Sequence, residues 1–89
     1  MTSDDFVSAV DGLIFDENGR TWTIEVDDID DSQPDVFSIT IRVPEAEGEL
    51  YFDAPKGRDL ETAALQDHVL GIARDLVSGR LQSGIRTAL

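Results

Sequence analysis

The chain has 89 residues, 19 of them Asp or Glu and 7 Lys or Arg, giving a formal net charge of -12 and a pI near 4.1. That length is one small domain with a modest core. The absence of cysteine removes disulfides, zinc-thiolate sites and thiol nucleophiles, no apolar run approaches the ~20 residues of a membrane span, and the acidity is the opposite of a nucleic-acid-binding footprint.

Residues 3–10 read as a short helix. Ser3 is placed to accept from the free amides of a first turn, Asp4 and Asp5 suit its positive end, and Phe6 and Val10 lie one turn apart. Gly12 can supply a left-handed cap. The rival reading is a strand turning through Asp11-Gly12.

Leu13 to Glu17 and Arg20 to Asp27 flank Asn18-Gly19, the strongest short hairpin signal, because a type I′ turn needs positive φ at both central residues. A two-residue loop fixes the register. Glu17 then faces Arg20, Phe15 faces Trp22 and Leu13 faces Ile24, whereas a one-residue slip spoils every match.

Asp27 to Asp35 is expected to be a polar loop ended by Pro34. Residues 36–43 then alternate strictly, with Phe37, Ile39, Ile41 and Val43 on one face and Val36, Ser38, Thr40 and Arg42 on the other. After Pro44 and Gly48, Leu50, Phe52 and Ala54 alternate with Glu49, Tyr51 and Asp53. Clean alternation marks an antiparallel sheet with one buried and one wet face.

Pro55-Lys56-Gly57-Arg58 breaks the last strand, and Asp59 is the expected cap of a helix from Leu60 to Val77. Leu65, Val69, Ile72 and Leu76 form its apolar stripe. Val77, Leu81, Ile85 and Leu89 lie four apart, so the tail is expected to resume as a helix despite Ser83-Gly84. The fold class that follows is α+β in two layers: an antiparallel four-stranded meander with one main C-terminal helix on one face. The whole chain, 1–89, forms this single acidic domain.

The chemistry-bearing residues are few. His68 is the one histidine, at the edge of the apolar stripe, and Ala64, Gly71 and Ile72 around it cannot orient an imidazole. The run Asp27-Asp28-Ile29-Asp30-Asp31-Ser32-Gln33-Pro34-Asp35 invites a calcium reading. Begun at Asp28, however, it has Gln33 where an EF-hand loop needs glycine and Ile39 where it needs a bidentate glutamate. Lys56-Gly57-Arg58 ahead of a helix could hold an anion, but it lacks phosphate-loop spacing and is more simply local charge balance. No nucleotide loop or nucleophile elbow is present, so the expectation is no catalytic residue, no metal and no cofactor.

The charge itself is located. Residues 1–55 carry 15 acidic and 2 basic side chains, and residues 56–89 carry 4 and 5, so the negative charge lies on the hairpin and loop side. The wet sheet face adds Arg42 and Tyr51, residue types enriched at binding hot spots. The expected function is therefore a non-enzymatic, cytoplasmic interaction or accessory protein, alone or as a homodimer. Its acidic surface would take a basic protein partner, as DNA mimics and toxin-blocking immunity proteins do. The residues assigned to that contact are Asp27, Asp28, Asp30, Asp31, Asp35, Arg42 and Tyr51. Two alternatives stand beside it. The excess of Asp over Glu and the single Lys also fit a protein adapted to concentrated salt, and a small enzyme subunit is the third.

Overall fold

A computed structural model describes residues 1–89. Helix α1, Ser3–Val10, is opened by Thr2 rather than by the expected Ser3. Thr2 is extended, its hydroxyl accepts from the Asp5 N–H at 3.1 Å, and the Asp5 carboxylate accepts from the Thr2 N–H at 3.1 Å, a reciprocal capping box. Ser3 lies inside the first turn, buried, and its hydroxyl donates to Asp31 at 3.3 Å. Phe6, Ala9 and Val10 form the buried stripe of α1.

Strands β1, Ile14–Glu17, and β2, Arg20–Thr23, form the expected hairpin. Asn18 and Gly19 have φ of 55° and 73°, and Phe15 faces Trp22 and Glu17 faces Arg20 as the turn requires. The Trp22 indole N–H donates to the Glu17 carbonyl at 2.9 Å, so the buried ring leaves no unpaired donor.

The single strand expected from Arg20 to Asp27 is instead two. The Ile24 N–H donates to the Leu13 carbonyl and the Ile24 carbonyl accepts from the Gly12 N–H, both at 2.8 Å. At Gly12, with φ of +83°, the neighbouring segment turns away into α1, so the strand that continues must find a new neighbour. It does so as β3, Glu25–Asp30, which pairs antiparallel with β4, Val36–Val43. The hairpin is therefore a sheet of its own, and residues 27–30, expected in a loop, belong to a strand.

The reason is a β-bulge. Val26 faces Ile41 and Ile29 faces Ile39, yet they are three residues apart and would fall on opposite faces of a regular strand. One extra residue at Asp27 turns both to the inner side, where Val26 packs against the core and Ile29 stays exposed near the strand's end, and leaves the carboxylates of this segment outward.

β4 joins β5, Gly48–Pro55, through a 3₁₀ turn at Pro44–Ala46 and left-handed Glu47, with φ of 52°. The expected alternation holds on both strands, with Phe37, Ile39, Ile41, Val43, Leu50, Phe52 and Ala54 all buried. Helix α2, Thr62–Val77, crosses the inner face and buries Leu65, Val69 and Ala73. Ile72 and Leu76, expected at the centre of its stripe, flank it. A Cβ added to Gly48 would lie 2.7 Å from Leu76 Cδ2, which shows how closely β5 and α2 approach there. Asp59 does not cap α2, because its carboxylate accepts from the Met1 amine at 3.1 Å. Glu61 takes the cap position and makes no side-chain cap bond.

The tail is a strand, not the expected helix. β6, Ile85–Ala88, runs parallel to β5, with Ile85 beside Leu50, Arg86 beside Tyr51 and Thr87 beside Phe52. Gly79 and Gly84, with φ of +82° and +92°, interrupt any helical continuation, and α2 supplies the crossover that parallel neighbours require. The four-stranded sheet thus has the order β3-β4-β5-β6, mixed in direction, and the architecture is a two-layer α+β domain. Phe6 of α1 reaches Phe37 and Phe52 on the inner face, and α2 packs beside α1 on that same side. The outer face of the sheet carries no layer.

Candidate functional site

Alternation and the bulge decide which side chains share the outer face. From β3 come Glu25, Asp27, Asp28 and Asp30, from β4 Ser38, Thr40 and Arg42, from β5 Glu49, Tyr51 and Asp53, and from β6 Arg86. Arg42 sits between two carboxylates, 3.9 Å from Asp27 and 3.9 Å from Glu49. The second oxygen of Glu49 accepts from the Tyr51 hydroxyl at 3.1 Å. That bond, with the charge of the same carboxylate, raises the Tyr51 phenol above its ordinary value, so it stays a neutral donor.

A second chain of contacts runs alongside. The Arg86 guanidinium lies 5.3 Å from the centre of the Tyr51 ring and donates to Asp53 at 2.5 Å. The same Asp53 oxygen accepts from Ser38 at 2.6 Å. Burial lifts the Asp53 carboxyl, but the bonds from Ser38 and Arg86 outweigh it and hold the group below the usual carboxylate range. The centre of the face is therefore an ordered polar network around one aromatic ring, and its β3 margin is acidic.

The seven residues assigned from the sequence do not act together. Asp27, Asp28, Arg42 and Tyr51 meet on the outer face, with Asp30 at its far end opposite Ser38. The Asp30 carboxylate accepts from the N–H and hydroxyl of Ser32, at 3.1 and 2.6 Å, and those bonds lower its pKa. Asp31 points elsewhere. It pairs with Lys56 at 2.5 Å and accepts from Ser3, and the Lys56 bond lowers its pKa. Lys56 also donates to the carbonyls of Gln33 and Asp31, so it clamps the loop to the end of β5. Asp35 is exposed on that loop and makes no ion pair; its carbonyl accepts from the Lys56 N–H at 2.9 Å.

Sequence reasoning places Glu49 and Asp53 on the wet face with Tyr51 but does not assign them to the contact, and it misses Arg86. Glu49 and Asp53 both bond directly across the network. Arg86 is hidden because a four-residue strand alternates only twice, too briefly to outweigh the helical spacing around it. His68 lies exposed on α2, away from this face. No group of three or more His, Asp or Glu side chains is placed to hold a metal ion, and no helix is long and apolar enough to cross a membrane. Comparisons with protein-family models, curated proteins and solved structures give no significant match.

Proposed function

We propose that this chain is a non-enzymatic, cytoplasmic interaction protein that captures a basic protein partner on the open face of its four-stranded sheet. The observation that carries the reading is that face: uncovered by any layer, acidic along β3, and ordered around Tyr51 and Arg42. Glu25, Asp27, Asp28, Asp30, Glu49 and Asp53 outnumber Arg42 and Arg86 there, so the potential over the face is negative. Such a potential speeds encounter with a cationic surface and sets its orientation. Tyr51 supplies a rigid, half-exposed ring of the kind that anchors interfaces. Arg42, held by two carboxylates of its own chain, orders that margin rather than repelling the partner.

The test is calorimetric titration with an arginine-rich peptide. Replacing both Asp27 and Asp28 by Asn weakens binding about tenfold or more, whereas Asp35→Asn, off the face, leaves it within about twofold. Equal losses from the two variants overturn the reading. Binding also weakens as salt rises past the ~10 Å screening length of 0.1 M.

A second reading, adaptation to concentrated salt, has one observation in its favour. Exposed carboxylates also lie far from the face, at Asp4 and Asp5 on α1, at Glu61 in the cap position of α2 and at Asp67 within it. A salt-adapted chain unfolds in dilute buffer and recovers in molar potassium chloride. A binding protein of the kind proposed stays folded in both.

A further inference from the structure

The parallel strand β6 brings the end of the chain beside the first turns of α2 and so makes a groove of about 280 Å³. Leu60, Ala64, Leu65, Ala88 and Leu89 line it together with Arg58 and His68, both exposed. It lies outside the sheet-face network. Its walls come from the half of the chain that carries no net negative charge, residues 56–89.

Arg58 is the informative residue. Arg42, Lys56, Arg74, Arg80 and Arg86 each have a carboxylate within 4 Å, and Arg20 lies over the Trp22 ring at 4.7 Å. In a chain with 19 Asp and Glu side chains, Arg58 alone among the Lys and Arg side chains has neither kind of partner. It lines the groove ahead of α2, whose cap residue Glu61 makes no side-chain cap bond and whose first turn contains no acidic residue. An apolar trough with an unpaired guanidinium in its lining matches a molecule that is apolar along its length and anionic at its tip.

We propose that this groove binds a medium-chain aliphatic carboxylate. The hydrocarbon tail lies along Leu60, Leu65 and Leu89, and the carboxylate accepts hydrogen bonds from the Arg58 guanidinium, with the His68 imidazole N–H as a further donor.

The experiment is titration of the intact protein with hexanoate, octanoate and decanoate below their micellar concentrations, followed by amide NMR shifts and calorimetry. Affinity rises about fourfold for each added methylene until the groove is full, and the shifts gather at Leu60, Ala64, Leu65 and Ala88. Arg58→Ala weakens decanoate about tenfold but leaves decanol unchanged, and Arg58→Lys recovers part of the loss. Ala64→Trp, at an exposed helix position that the core does not use, blocks both ligands. The proposal is overturned by affinity that does not depend on chain length, by shifts gathered elsewhere, or by an Arg58→Ala protein that binds decanoate as well as the original.

Discussion

Phe6 is the side chain by which α1 seals the sheet, and replacing it with Leu tests that packing without emptying the site. Its ring is fully buried, edge-on to Phe37 at 6.0 Å and tilted over Phe52 at 6.1 Å. Leucine retains much of the apolar volume and loses both ring pairs, each worth about 0.5–1.5 kcal/mol beyond area burial. The expected cost is about 1–3 kcal/mol. A domain of this length is typically stable by only about 4–13 kcal/mol, and each kcal/mol moves the midpoint by about 4–8 °C. Phe6→Leu therefore lowers the melting temperature by roughly 5–20 °C, read by far-UV circular dichroism. A double-mutant cycle with Phe37→Leu isolates the edge-on pair and should return a coupling of about 0.5–1.5 kcal/mol. A midpoint within about 2 °C of the original protein, or a coupling near zero, refutes the placement of α1 on the inner face.

Two further outcomes follow from the same structure. Thr2→Ala removes one half of the capping box and costs about 1 kcal/mol in thermal unfolding, whereas Asp4→Ala, outside the box, costs measurably less; equal losses contradict the box. Hydrogen bonds to Thr2, Ser32 and Lys56 lower the pKa values of Asp5, Asp30 and Asp31 respectively. Depressed folded values mean that these carboxylates contribute stability above the ordinary carboxylate range and lose it as pH falls through their folded values. Melting temperature thus drops on acidification below about pH 4, and Asp31→Asn makes that acid limb shallower; an unchanged limb contradicts the Lys56 clamp.

How much of this is legible in the sequence follows from which signals are local. Asn18-Gly19 determines its own turn, and the strict alternation of residues 36–43 needs no partner to be read. The same alternation places Arg42 and Tyr51 on the wet face. β3 is hidden because the bulge at Asp27 breaks the two-residue period that identifies a strand. β6 is hidden because it is held by β5, more than thirty residues earlier, while its own spacing imitates a helix. Asp31 escapes for a related reason: its partner Lys56 is 25 residues away, and nothing in the acidic run distinguishes the carboxylate that is neutralised from those that face solvent.

The most direct test of the open face as the binding surface is an amide NMR titration of the intact protein with an arginine-rich peptide. If the open face binds, the shifts concentrate at Ser38, Thr40, Arg42, Tyr51 and Asp53 and along β3, with α1 and α2 unmoved. Shifts concentrated on the helices, or spread evenly over every exposed carboxylate, contradict it.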